Sequence, residues 1–272
     1  MTLLLDSWKF VRYEVTKNTS WYFVWIKDAS GRDTYVEFTK GTESDEVGRL
    51  IHEMLNKFKL EDLPEEKCLE KNLGLSRRVE NGSTMAVALS SVRSAISQFR
   101  SMEKSLPLCE YLSGKAPAPI DLYANINRGL FATDRAPDDF AKAAYKAVSR
   151  GFKVIKCAPF DEVTLPNPHN INDVIKGGLD RLTAVRESVG ADVEILVDCH
   201  GRFEESSAKI VASLIRPIEI GWFEEPLDPI TYPEGLARIS NEITIPLAGG
   251  ESGYGEEFFD SLAQLGSVQT IM

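Results

Sequence analysis

The chain has 272 residues, with 31 Lys and Arg against 41 Asp and Glu for a net charge of −10, and 43% of its residues are hydrophobic. That length accommodates one large domain or two ordinary ones, and the composition is that of a soluble globular chain with no apolar run long enough to cross a bilayer. The acidic balance argues against a nucleic-acid partner, because such affinity rests on clustered Lys and Arg.

The N-terminal MTLLLDSWKF has three leucines but no basic residue ahead of them, unlike a secretory signal. Four scattered cysteines, Cys68, Cys109, Cys157 and Cys199, form no CxxC pair, so neither a disulfide framework nor a zinc site is expected and a reducing cytoplasm is the natural home. Residues 8–16, 21–28 and 33–39 are aromatic and β-branched runs separated by KNTS and ASGR, which predicts a β-meander. From Ser44 the apolar period becomes helical, with Val47, Leu50, Ile51, Met54, Leu55 and Phe58 three or four residues apart, and residues 84–99 repeat the pattern. These elements make an α+β domain over residues 1–115, followed by a proline-bearing connector at 115–119.

From Ile120 short apolar strands alternate with amphipathic helices six times, ending in SVQTIM. Such alternation requires a parallel sheet, either doubly wound and open or closed as a (β/α)8 barrel. The first strand is followed by INRGLFAT, which lacks G-x-G-x-x-G, so the barrel is favoured for residues 116–272. Those 157 residues are fewer than the roughly 200 that eight units need, and the chain is expected to be truncated at its C-terminal end.

Catalytic groups of a barrel project from the C-terminal ends of its strands. Three consecutive strands end in an acid: ILVDCHG gives Asp198, IGWFEEP gives Glu224 and IPLAGGES gives Glu251, 26 and 27 residues apart. One acid after a strand is often a helix cap or a solvated loop residue. Three at intervals of one β/α unit point instead to a shared task. Converging carboxylates repel and resist desolvation, a difficulty that a hard divalent cation removes, Mg2+ first and Mn2+ as the alternative.

These motifs, their spacing and the preceding α+β block, including LPLCEYLSG, together resemble the enolase superfamily in its mandelate racemase/muconate lactonizing enzyme-like branch. The resemblance covers essentially the whole chain. It implies that residues 1–115 are a capping domain and that Asp198, Glu224 and Glu251 bind Mg2+. The ion would hold a substrate carboxylate and stabilise the enediolate formed when the α-proton is removed. Glu225 is not a ligand in the family, and a framework acid is the better reading for it. Many relatives carry Lys-x-Lys on the second strand; here VIKCAPF has Lys156 at the first position and Ala158 at the second, so the usual base is missing. Lys156 shares the parity of Ala158 and should point inward, where it either serves the substrate or pairs structurally with a carboxylate.

Asp-x-His, with His200 two residues after Asp198, is similar to the acid-sugar dehydratases of the superfamily, in which this histidine acts as acid or base in the loss of the β-hydroxyl. The alternative is a histidine that only steadies Asp198. Arg202, inward by the same parity, contacts a sugar hydroxyl or carboxylate or caps the rim through a salt bridge. The implied function is a Mg2+-dependent hydro-lyase that converts a sugar acid to a 2-keto-3-deoxy acid, with His200 and Lys156 as the acid/base candidates. A second histidine, on a later strand, would lie beyond Met272. The rival readings are a racemase, epimerase or cycloisomerase with the same metal, a non-catalytic metal-binding relative, and a barrel glycosidase. The resemblance further implies a homo-oligomer, a dimer or an octamer, with a small carboxylate substrate and specificity loops near residues 18–22 and 40–46; neither nucleic acid nor membrane is expected as a partner. The long segment PFDEVTLPNPHNIN after Lys156 is expected to border the site.

Overall fold

A computed structural model describes residues 3–17, 19–75 and 82–272; Asn18, expected in a specificity loop, lies outside them. By its internal contacts the chain divides into two units, 1–119 and 120–272, so the proline-bearing connector belongs with the first.

In the first unit β1 (Leu5–Thr16), β2 (Thr19–Asp28) and β3 (Asp33–Glu37) form an antiparallel sheet in that order. Helices α1 (Ser44–Lys57), α2 (Leu69–Leu73), α3 (Gly82–Glu103) and α4 (Leu108–Ser113) follow. Strand alternation sends Val24, Ile26 and Val36 to one face. There they share a core with Val47, Ile51 and Leu55 of α1 and with Leu89, Val92, Ile96 and Phe99 of α3.

The turn from β2 to β3 is organised by one buried carboxylate. Asp28 accepts hydrogen bonds from the backbone N–H of Ser30 (3.0 Å) and of Arg32 (2.9 Å) and from Arg32 Nε (2.7 Å), while Gly31 supplies the positive φ of the turn. Arg32 reaches on to Glu103 at the end of α3 (3.3 Å), so the turn and the helix are fastened together. Burial alone would raise the Asp28 pKa, but the hydrogen bonds from Ser30 and Arg32 and the Arg32 charge outweigh it and hold the carboxyl below its ordinary value.

The second unit carries β4 (Tyr123–Asn125), β5 (Val154–Cys157), β6 (Glu194–Asp198), β7 (Trp222–Glu224), β8 (Leu247–Gly249) and β9 (Thr270–Ile271). Between them run α5 (Asn127–Leu130), α6 (Pro137–Val148), α7 (Ile171–Val189), α8 (Glu205–Ile215), α9 (Pro233–Glu242) and α10 (Glu256–Leu265). All adjacent pairs are parallel and the spatial order follows the chain order. A doubly wound sheet reverses its order at a switch point; this one does not, and it is a six-stranded part of a barrel. Outward residues Ile155, Cys157, Ile195, Val197, Phe223 and Leu247 join Phe140 of α6, Leu182 of α7 and Leu236 of α9 in one apolar layer. Helix α7 approaches the loop after β5 so closely that a Cβ on Gly178 would meet the Phe160 ring at 2.2 Å. Among the described residues no helix is long and apolar enough to cross a membrane.

The Asp28 arrangement fixes a pH dependence for the first unit. Because its folded-state pKa is lowered, its stabilisation is complete above the unfolded-state value of about 3.9 and disappears as pH falls through the lower folded value. We expect Asp28→Ala to cost about 2 kcal/mol at pH 7, by leaving Arg32 and two backbone N–H groups without their acceptor, and the deficit to shrink below pH 3. Urea unfolding at several pH values measures both.

Candidate active site at the strand ends

Register decides which side chains meet. Asp198 pairs with Glu224 across β6 and β7, and Glu224 pairs with Ala248 across β7 and β8. Side chains alternate along a strand, so while Val197 and Phe223 pack outward, Asp198 and Glu224 face the other side of the sheet at one level. Glu224 is 0% and Asp198 4% exposed. Glu251 lies beyond the last residue of β8, in an exposed turn at the rim.

Lys156 of β5 starts one layer lower, opposite Leu196, and its four-carbon stem carries the ammonium up between the acids. Nζ donates to Glu224 Oε1 (2.8 Å) and Oε2 (3.0 Å) and lies 3.4 Å from Asp198 Oδ2. It also sits 5.4 Å from the Tyr123 ring centroid, and Trp222 Nε1 donates to Glu224 Oε2 (3.0 Å). Burial on its own would lower the lysine pKa, but the Glu224 hydrogen bonds and the charges of Asp198 and Glu224 outweigh it and hold the ammonium above its ordinary range. Burial, opposed by Lys156 and reinforced by Asp198, raises the Glu224 carboxyl. In this arrangement Lys156 is the counter-ion of a carboxylate pair, and it cannot accept a proton without first losing that role.

His200 arrives by a different route from the one its parity suggests. β6 ends at Asp198, and His200 has φ +51°, in the left-handed region, inside a turn whose Cys199 and Gly201 N–H groups donate to Glu224 O (3.0 Å) and Glu225 O (2.8 Å). The turn nonetheless puts the imidazole beside Asp198, with Nε2 3.3 Å from Oδ2. Its Nδ1 is 3.4 Å from Asp161 Oδ1. Asp161 is the main cause of a raised His200 pKa; burial opposes it, and the charges of Asp198 and Glu251 add to it.

Asp161 belongs to the PFDEVTLPNPHNIN loop, and nothing in its local sequence distinguishes it from neighbouring Glu162; only the expectation that this loop borders the site pointed its way. Arg202 serves that loop too: Nη1 donates to Val163 O (3.0 Å) and Nε lies 3.8 Å from Asp161 Oδ1. Its guanidinium is thus engaged with the loop rather than presented towards Asp198 and Glu224.

Glu225 is buried with φ +40° and accepts the Gly250 N–H (2.8 Å). A Cβ on Gly249 would stand 2.9 Å from Glu225 Cγ, so the two glycines of LAGGES let the chain close over this acid before it reaches Glu251. Burial raises the Glu225 pKa against the backbone hydrogen bond from Gly250.

The donors fit a hard cation in chemistry: all three acids supply oxygen ligands, and the buried pair carries two negative charges against the single charge of Lys156. Among the described residues no three ligand-type side chains stand close enough to form a cage, since Glu251 remains at the rim.

Residues 139–272 match the family described as enolase C-terminal domain-like. A D-gluconate dehydratase of Thermoproteus tenax is 34% identical over 178 residues, which are 65% of this chain and 33% of that protein. A D-gluconate/D-galactonate dehydratase of Picrophilus torridus is 29% identical over 198 residues, 72% of this chain and 48% of that one. The chain thus spans about a third to about half of the length of these curated relatives. A crystal structure of a member of the enolase superfamily from Salmonella Typhimurium aligns with a TM-score of 0.84 at 21% identity, over 99% of this chain and 73% of that one, a likeness of fold.

Removing the shared counter-charge has a measurable consequence. We expect Lys156→Met to lower the unfolding free energy by about 3–5 kcal/mol in chelator-treated buffer, because two buried carboxylates lose their partner. Adding Asp198→Asn should recover part of that loss, and a double-mutant cycle in urea measures the coupling.

Proposed function

We propose, for a chain whose residues 139–272 form an enolase C-terminal-like domain, that this site removes the proton α to the carboxylate of a sugar acid and expels the β-hydroxyl as water, giving a 2-keto-3-deoxy acid. The single observation that carries the reading is the imidazole of His200 set 3.3 Å from a buried carboxylate that is itself paired, strand to strand, with another. Such a histidine is placed to deliver a proton to a leaving hydroxyl at the same rim where a substrate carboxylate would be held. The aldonates named for the two relatives, gluconate and galactonate, give the substrate class.

Asp198, Glu224 and Glu251 would hold a divalent ion, Mg2+ in the first instance. When bound, such an ion supplies Lewis-acid stabilisation of the negative charge that grows on a carboxylate as its α-proton leaves. The remaining chemistry belongs to the chain's own residues. The Lys156 ammonium adds a fixed positive charge to the same region, where low dielectric strengthens it. Trp222 fixes one oxygen of Glu224, and Glu225 holds the turn from which Glu251 projects. Neutral His200 accepts the α-proton and, so protonated, donates it to the departing oxygen and is left neutral again, which balances the elimination within the residues of this chain. Arg202 keeps the loop after β5 against the rim instead of touching substrate.

The test is to incubate the chain with Mg2+ and a panel of C5 and C6 aldonates in D2O and to follow products by NMR. We expect a 2-keto-3-deoxy acid, its loss with chelator, and a fall in kcat of about 10²–10⁴ for His200→Asn. Exchange or inversion at the α-carbon without elimination would assign the site to a racemase or epimerase, and a metal-binding chain inert towards every acid would make it a non-catalytic relative.

A further inference from the structure

Two segments far from it in sequence converge on the Asp161 carboxylate. Arg135, just ahead of α6, donates from Nη2 to Asp161 Oδ2 (3.1 Å) and to Ala158 O (2.7 Å), and its guanidinium stacks over Phe140 at 5.1 Å. Asp161 is thereby anchored through one oxygen. The other, Oδ1, is buried and accepts no hydrogen bond among the described residues; it faces His200 Nδ1 at 3.4 Å and Arg202 Nε at 3.8 Å. His200 itself needs outside support. Its backbone is in the left-handed region, its side chain is 40% exposed, and its ring is contacted on one edge by Asp198 and on the other by Asp161.

We propose that Asp161 is a positioning residue for His200. Held by Arg135, its free oxygen takes the Nδ1 edge of the imidazole and so keeps Nε2 turned towards Asp198 and the substrate side. The separation of 3.4 Å is long for a finished hydrogen bond, as is common at catalytic pairs before substrate binds. Asp198 alone cannot fix the ring, because a single contact at Nε2 leaves it free to turn about the Cβ–Cγ bond; a second acceptor on the opposite nitrogen removes that freedom. The catalytic consequence rests on the dehydratase reading, whereas the ring geometry does not.

The experiment uses the full chain, with Asp161→Ala and Asp161→Asn, and two readouts at one fixed pH. In 15N-labelled protein the His200 ring resonances, assigned with His200→Asn, report the partner of Nδ1. We expect Asp161→Ala to move the Nδ1 signal towards that of a solvent-exposed imidazole and Asp161→Asn, which keeps an acceptor, to move it less. In the assay we expect kcat to fall about 100-fold for Asp161→Ala and about 10-fold for Asp161→Asn, with KM within threefold of wild type. Unchanged ring resonances in Asp161→Ala would overturn the proposal. So would a rise in KM and a lower Tm with kcat retained, the pattern of an acid that only holds the loop. If the wild-type chain turns over no sugar acid while Asp161→Ala still shifts the ring signal, the dehydratase reading fails and the positioning role stands.

Discussion

Two carboxylates one strand spacing apart inside a folded sheet repel each other, by roughly 3 kcal/mol at an effective dielectric constant near 20, before the cost of taking either out of water is counted. Asp198 and Glu224 are in that position, and the rest of the second unit is arranged around making it tolerable. Lys156 reaches both from the neighbouring strand, Trp222 satisfies one oxygen of Glu224, and the Tyr123 ring flanks the ammonium. A fold that needed only stability would place apolar residues there, since buried ion pairs seldom outperform well-packed hydrophobic ones.

The parallel sheet makes the arrangement precise at low conformational cost. Outward side chains of β5 to β8 lock the strands against the helices, so their inward partners inherit fixed positions without needing contacts of their own. The turns beyond the strands then carry the groups that must face solvent or substrate. Left-handed conformations at His200 and Glu225 mark where the backbone departs from the strand, and Gly249 and Gly250 give it room to fold back over Glu225. Rigid strands hold the buried carboxylates, and shaped turns hold the histidine and the rim acid.

Much of this was legible in the sequence. Alternating apolar runs and amphipathic helices announced a parallel sheet, and the spacing of Asp198, Glu224 and Glu251 placed the three acids on successive strands, because period and interval are local properties of a chain. The approach of Lys156 to the acids also followed from parity, since that residue lies within β5. The same reasoning reached His200 and Arg202 only by extending a strand past its end. Both lie in a turn, and the turn brings His200 to Asp198 while sending Arg202 to the loop after β5. Asp161 was not legible because its neighbours come from positions 135, 200 and 202 and are set by tertiary structure alone. Glu225 could be set apart from the ligands by resemblance, but its hold on the Gly250 N–H required coordinates.

In the proposed function the buried pair and the rim acid together would hold a divalent cation. Anomalous diffraction from crystals of the full chain grown with Mn2+ tests it most directly, because manganese scatters distinctively and substitutes for Mg2+ at oxygen sites. The account predicts one strong anomalous peak contacted by carboxylate oxygens of Asp198, Glu224 and Glu251. A map with no peak there, and with Lys156 still bridging Asp198 and Glu224 at saturating Mn2+, would contradict it and leave the pair as a structural ion cluster.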